Sequence, residues 1–317
     1  MDARAKLCAM AVAMATAAGC AVEPDDADRF REAVPQQEEV ALRVPGGEAS
    51  SSTRTQGLRI LTNGGAADTA RYYRFTREMT GAVDFGTAVI LGAVWAIVHS
   101  PPTTIEAKRA VWGPGQANAL EPAVWRFTVE EKAEGEYDYV LEGRPKAGGE
   151  FLTALRGHGY GKAHPLHRQG WFEADNDVFR TLDPANARDH GTTKVTYDLK
   201  ALPATIAVAL RPGADRGSAD VVVTHEAAGA GSVDITALGD IDDSKATKLE
   251  DVRLVSRWSS AGAGRADVLM KGGDLPVTVK ATECWSESFS RVFYEDTVSF
   301  EPKSGDAAAC AFPASSL

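Results

Sequence analysis

Residues 82–98, AVDFGTAVILGAVWAIV, decide the fold of this chain. These seventeen residues carry one charged side chain, Asp84, and the dipeptide Pro101-Pro102 follows soon after their end. Because proline cannot continue a helix, the segment is bounded on its C-terminal side. In a helix its larger side chains would share one broad face; they are Val83, Thr87, Ile90, Leu91, Val94, Trp95 and Val98. The stretch therefore predicts a long helix with a core-facing side.

The opposite side of this predicted helix carries small residues, namely Gly86, Gly92, Ala93 and Ala96. A glycine costs a helix interior about 1 kcal/mol relative to alanine, and contact with a second layer would offset that cost. We therefore expect the helix to be buried nearly all round. A pair of strands broken at Gly92 is the alternative. The length of the run and Asp84 disfavour a membrane span.

Downstream of the two prolines, apolar and polar residues alternate in short segments. This period of two is typical of strands with one buried face. The alternating segments are 107–112, 125–131, 136–143, 151–160, 192–199, 204–210, 219–225, 232–238, 249–258, 264–270, 277–285 and 289–300. Turn residues separate most of them, and no β-α-β alternation appears. The series predicts one antiparallel sheet.

Residues 161–190 interrupt the strands, and a short helix ended at Pro184 fits them. Its inner face would comprise Trp171, Phe172, Val178, Phe179 and Leu182. The predicted fold class is therefore mainly β (α+β). We expect a large antiparallel sheet or open half-barrel wrapped around one long buried helix, plus this second short helix. Residues 57–312 contain no linker, and residues 57–317 are predicted to form a single helix-plus-antiparallel-β domain.

The N-terminus has the pattern of a secretory signal peptide. Arg4 and Lys6 precede an apolar run, and Ala17-Ala18-Gly19-Cys20 follows it. This ending resembles the lipobox of bacterial lipoproteins, although the family prefers leucine where Ala17 stands. The resemblance implies removal of residues 1–19, acylation (palmitate) of Cys20 and attachment to the membrane through that lipid. Ala21 after the cysteine implies sorting to the outer membrane. Cleavage near Ala18 to give a free secreted protein is the alternative.

Residues 20–56 are acidic and then rich in glycine, serine and threonine, and this composition predicts a flexible tether after the lipidated Cys20. The whole chain has a net charge of −10. Loss of residues 1–19 would leave 32 basic and 43 acidic residues, a charge of −11. Such a charge repels nucleic acid, so we expect no nucleic-acid partner.

Two of the four cysteines remain once the signal peptide and Cys20 are set aside. These are Cys284 and Cys310, and an oxidising, exported location favours a disulfide between them. Closing this loop would stabilise the fold by roughly 3 kcal/mol. Two free thiols are the alternative.

Two groups of residues are weak candidates for binding a metal. His158, His164 and His167 fall within ten residues, with carboxylates at Asp175 and Asp177 nearby. Their spacing matches no catalytic zinc motif, and a polar loop over one end of the sheet is the alternative. The second group, Asp240 and Asp242, together with Asp243 and Asp251, lacks the glycine of a calcium-binding EF-hand loop, and a solvated turn is the alternative.

Motifs for catalysis are missing from the sequence. It contains no nucleophile elbow and no phosphate-binding loop, so we lean towards a protein that is not an enzyme and that uses no cofactor. Arg71-Tyr72-Tyr73-Arg74-Phe75 could stack on bases, but a helix start is favoured at this net charge. The tryptophans, Trp95 among them, could stack on carbohydrate or line an apolar pocket, and core packing is the alternative.

The order of one long helix followed by antiparallel strands resembles the open half-barrel lipoprotein carriers, in which a sheet wraps a helix and holds acyl chains. This resemblance is one of organisation and rests on no motif. It implies a non-enzymatic binding or carrier role for a lipid or other apolar ligand, in a cavity that Ile90 and Val94 would line. A structural or adhesive cell-surface protein is the second hypothesis. A metal-assisted hydrolase using the histidine loop is the third.

Overall fold

The computed structural model describes residues 24–41, 69–116, 120–185, 187, 189–213, 217–240 and 248–317. The predicted signal peptide and Cys20 lie outside these residues. Within them the helices are α1 (Pro24–Arg31), α2 (Arg71–Val98) and α3 (Asn176–Leu182). None of these helices combines the length and the apolar character that crossing a membrane requires.

The described residues contain fifteen strands in a single sheet. They are β1 (Thr104–Glu106), β2 (Arg109–Gly115), β3 (Ala123–Ala133), β4 (Glu136–Pro145), β5 (Leu152–Tyr160), β6 (Gln169–Asp175), β7 (Thr192–Asp198), β8 (Ala204–Arg211), β9 (Ser218–His225), β10 (Gly231–Gly239), β11 (Glu250–Trp258), β12 (Gly264–Gly272), β13 (Val279–Trp285), β14 (Arg291–Asp296) and β15 (Ser304–Gly305). The spatial order of the strands equals their order in the chain. Each strand is antiparallel to its neighbours, as in the pairs Val195↔Val208 and Val233↔Val223.

The sheet is open rather than closed into a barrel, and its inner side forms the core. On β4, for example, Tyr137, Tyr139 and Leu141 are buried while the residues between them are partly exposed. Helix α2 contacts β2 and β3 near one edge of the sheet and β11, β12 and β13 near the other. The sheet therefore curves around this helix. The predicted mainly β fold class, a large antiparallel sheet with few helices, is confirmed.

Helix α2 is longer than residues 82–98. It ends at Val98 as predicted but begins at Arg71, because Tyr72, Phe75 and Met79 continue the buried face towards the N-terminus. Residues 71–75 thus form the helix start that was favoured over a base-stacking role. Farther along, Leu91, Val94 and Val98 have no exposed surface and belong to one continuous core with the sheet.

The small side of α2 corrects one expectation. Gly92, Ala93 and Ala96 are exposed, and a Cβ atom placed on Gly92 would meet no atom within 4 Å. The prediction of burial nearly all round is therefore wrong at these three positions. The physical reason is that the open sheet covers one side of the helix and leaves this part of the other side to solvent.

A buried ionic cluster fixes the N-terminal end of α2. The carboxylate of Glu283, on β13, accepts hydrogen bonds from the backbone N–H of Tyr72 and from Nε of Arg291, the latter at 2.7 Å. Glu301 accepts from Arg71 Nη1 at 2.6 Å and from Arg291 Nη1 at 2.5 Å. Unpaired N–H groups at a helix start favour a negative partner. The last strands of the sheet therefore supply the cap that the helix lacks locally.

The described part of the predicted tether, residues 24–41, is a packed segment, which corrects the expectation of flexibility there. Phe30 has no exposed surface and meets the ring of Tyr137 edge to face at a centroid distance of 5.8 Å. Val34 and Val40 are also buried. Arg31 Nε donates to the carbonyl of Val98 at 2.7 Å, which joins α1 to the end of α2. The segment packs although its average composition is acidic, because the apolar residues spaced along it, Phe30, Val34 and Val40, are buried in the core.

The short helix α3 is present, but of the predicted inner face it contains only Val178, Phe179 and Leu182. Asp175 caps it by accepting from the backbone N–H of Val178 at 3.0 Å. Trp171 and Phe172 belong to β6 instead, where Phe172 pairs with Val195. Their period of two continues the neighbouring strands, so they join the sheet rather than the helix.

The C-terminal segment lies over the outer side of the last strands. Cys284 and Cys310 form the predicted disulfide, with an S–S distance of 2.04 Å. Beyond it, Ser315 N donates to Asp267 Oδ2 at 2.8 Å. Burial alone would raise the pKa of Asp267, but the hydrogen bonds from Arg265, Ser315 and Thr282 hold that pKa below its ordinary value. The tail is thus bonded to the sheet covalently and by a buried carboxylate.

Candidate ligand groove on the long helix

The three histidines of the predicted metal group surround Tyr160 rather than a common point. His158 on β5 places Nδ1 2.8 Å from Asp138 Oδ1, and its ring meets Tyr160 edge to face. His164 stacks on Tyr160 at a centroid distance of 4.5 Å, and its Nδ1 accepts from the backbone N–H of Leu166. His167 Nδ1 lies 3.3 Å from the Tyr160 carbonyl. No group of three or more His, Cys, Asp or Glu side chains in the described residues is arranged to hold a metal ion.

The acidic candidates fall in the sequence between the end of β10 and the first residues of β11. Asp240 follows β10 directly, whereas Asp242 and Asp243 lie outside the described residues. Asp251 is an exposed residue of β11. The calcium hypothesis therefore stays a prediction.

The two residues expected to line an apolar cavity differ in their surroundings. Val94 has no exposed surface and contributes to the continuous core, while Ile90 is partly buried and packs against that core. Neither residue lines the groove described next. The acyl-chain carrier role thus remains a prediction.

The C-terminal half of α2 borders a groove of about 370 Å³. Gly92 lines it, and Trp95 and His99 follow on the same helical side, three and seven residues later. The far wall is the turn that follows α1, with Gln36, Gln37 and Glu38. The groove therefore lies between the N-terminal segment and the long helix, outside the apolar core.

Both aromatic rings of the groove are fixed by hydrogen bonds. Trp95 Nε1 donates to the Pro35 carbonyl at 3.1 Å, which also joins the two walls. His99 Nδ1 lies 2.9 Å from the Trp95 carbonyl. Because a carbonyl only accepts, Nδ1 carries the proton of this bond, and the Nε2 of a neutral His99 is left as an acceptor. The ring centroids are 4.7 Å apart with planes tilted by 45°.

The opposite wall is a hydrogen-bonded turn. Gln36 N donates to Glu39 Oε2 at 3.0 Å, and Glu39 N donates to the Gln36 carbonyl at 3.0 Å. Val34 and Val40 anchor the two ends of this turn in the core. Gln36 and Gln37 are consequently held at the surface with their amide groups exposed.

Sequence reasoning missed this groove because its wall lies in the acidic segment read as a tether. Phe30, Val34 and Val40 are the apolar residues that indicate packing of this segment. The average composition of residues 20–56, which is polar and acidic, conceals them. The sequence pattern marks Gly92 as unusual, but periodicity alone favours a role in helix packing there.

The described residues thus form an open antiparallel sheet curved around one long helix, with a groove on the outer side of that helix. Comparison of the chain with protein-family models, with characterised proteins and with solved structures gave no match.

Proposed function

We propose that this protein is an exported, lipid-anchored binding protein that holds a small ligand in the groove beside α2 without converting it. The lipobox-like Ala17-Ala18-Gly19-Cys20 supports the anchor. The Cys284–Cys310 disulfide is in keeping with an oxidising compartment. The anchor and the outer-membrane location follow from the resemblance to bacterial lipoproteins.

The observation that supports the binding role is an exposed glycine, Gly92, inside α2 and lining the groove. An exposed glycine in a helix interior costs about 1 kcal/mol relative to alanine. Nothing in the described protein uses the space above it, since a Cβ atom there would meet no atom within 4 Å. Helix backbone without a side chain, at a position that lines a groove, suits close approach by a ligand, and glycine commonly serves such approaches.

Native mass spectrometry of the protein purified from its own cells tests this role. Three forms are compared: wild type, Gly92→Leu, which places a large side chain at a position that lines the groove, and Ala93→Leu. Ala93 is the matched control because it is exposed on the same helix and does not line the groove. We expect a bound small molecule on wild type and on Ala93→Leu, and its loss from Gly92→Leu. Wild type without a bound molecule, or a molecule retained by Gly92→Leu, would refute the role.

A further inference from the structure

We infer that the ligand of this groove is a neutral saccharide of one or two rings. This inference rests on the binding role proposed above and adds the chemical class of the ligand. It follows from three properties of the groove. Trp95 provides an immobilised aromatic surface, most of the polar lining groups are uncharged, with Glu38 as the acidic one, and the volume is at the lower end of small-molecule sites.

The aromatic surface is the indole of Trp95. Its Nε1–H is already engaged by the Pro35 carbonyl, so the ring offers apolar contact rather than a donor. Trp95 is partly exposed and lines the groove. A pyranose ring has an apolar C–H side that stacks on such a ring and a periphery of hydroxyl groups. An aromatic side chain that is apolar on its faces suits a ligand of this two-sided character.

The polar groups around this surface match hydroxyl groups. Gln36 and Gln37 each bring an amide that donates and accepts, and His99 Nε2 accepts in its neutral form. A sugar hydroxyl both donates and accepts, so one ligand group can satisfy neighbouring partners of either kind. The bare backbone at Gly92 lets the ring lie close to the helix beside Trp95.

Other ligand classes fit less well. An acyl chain needs a mainly apolar lining, whereas four of the six lining residues, Gln36, Gln37, Glu38 and His99, are polar. An anion would meet Glu38 on a protein with a net charge of −10. A quaternary ammonium ion is held best inside a cage of several rings, and this groove is lined by two rings whose centroids are 4.7 Å apart. The volume of about 370 Å³ is near the lower limit of ligand pockets, which begin at roughly 300 Å³.

The test is a titration of the full mature chain, labelled with ¹⁵N-tryptophan, with uncharged sugars. The probes are the methyl glycosides of glucose, galactose, mannose and N-acetylglucosamine, and the disaccharides maltose, cellobiose, lactose and chitobiose. The readout is the indole N–H resonance of Trp95, assigned with Trp95→Phe. We expect at least one sugar to bind with a Kd of about 1 mM or below and to move this resonance.

Variants locate the binding. Gly92→Leu is expected to weaken the affinity by at least about tenfold, and Ala93→Leu by less than about twofold. Thermal unfolding of each variant verifies that it is folded. No binding of any of these sugars at about 20 mM, or binding that Gly92→Leu leaves unchanged, overturns the inference. A lipid or another non-saccharide that native mass spectrometry finds on wild type, and not on Gly92→Leu, would overturn it while leaving the binding role intact.

Discussion

The carboxylate of Glu283 accepts a hydrogen bond from the backbone N–H of Tyr72, although 211 residues separate the two in the chain. Glu283 has no exposed surface, and its second oxygen accepts from Arg291. Breaking a buried ion pair by removing one partner leaves an uncompensated charge. We therefore expect Glu283→Gln to lower the free energy of unfolding by roughly 3–5 kcal/mol in urea titrations.

Glu295→Gln is the matched control for this prediction. Glu295 also lies near the end of the sheet and pairs with Lys303 at 3.1 Å, but both side chains are more than half exposed. Its replacement should cost less than about 1 kcal/mol. Equal losses in the two variants would show that burial of Glu283 does not matter for the anchor of α2.

The packed N-terminal segment leads to a second prediction. Phe30→Ala should lower the free energy of unfolding by roughly 3–5 kcal/mol, because it removes a fully buried ring and leaves a cavity beside Tyr137. Asp28→Ala changes the same helix at an exposed ion pair with Arg31 and should cost less than about 1 kcal/mol. If Phe30→Ala is as stable as wild type, residues 24–41 do not contribute to the core.

Replacing glycine by alanine should change the free energy of unfolding in opposite directions at Gly92 and Gly143. Gly92→Ala should raise the free energy of unfolding by about 0.5–1 kcal/mol, because it improves helix propensity without any clash. In Gly143→Ala the new Cβ would lie 2.6 Å from Leu182 Cδ1 and 2.6 Å from Trp125 Cζ3, and such overpacking costs about 1–3 kcal/mol. Chemical denaturation of both variants checks the signs. A stabilised Gly143→Ala would contradict the tight packing between α3 and β4.

Alkaline pH should destabilise the protein through Tyr72. Burial raises the pKa of Tyr72 to about 12, whereas an unfolded tyrosine titrates near pH 10. The folded state therefore binds the phenolic proton more tightly than the unfolded state does. The stability that this provides is fully present below about pH 10 and is lost progressively as the pH rises to about 12. At pH 11 wild type should have lost about 1.4 kcal/mol through this group alone. Tyr72→Phe should lack that loss in urea titrations between pH 8 and pH 11, and parallel curves for the two proteins would refute the assignment.

The helix and the strands were predictable because each follows from a local period. The apolar run fixed the end of α2 at Val98, and the alternation from 192 to 199 corresponds to β7 (Thr192–Asp198). The start of α2 was harder to predict, since cations and aromatics mix in its first turns. Even so, Tyr72, Phe75 and Met79 are spaced three and four residues apart, in line with Val83.

The environment of the small side of α2 could not be predicted in the same way. Periodicity separates large from small residues, but it does not say whether a second layer covers the small ones. That depends on how far the sheet curves, which is a property of fifteen strands together. The groove has the same origin, because Gln36 and Gln37 meet Trp95 only after both segments dock on the core.

The ionic cluster at the start of α2 affects how the chain can fold during synthesis, because its partners are made long after the helix. Every strand pairs with its neighbour in sequence, so each hairpin can form as soon as it is made. Helix α2 precedes all of them, yet Arg71 finds Glu301 only 230 residues later. The contacts that hold the start of α2 can therefore form only after β13 and the segment following β14 have been made, and contacts of such long range slow folding. A nascent chain that stops before β13 lacks Glu283 and Glu301, the two carboxylates that hold the first residues of α2.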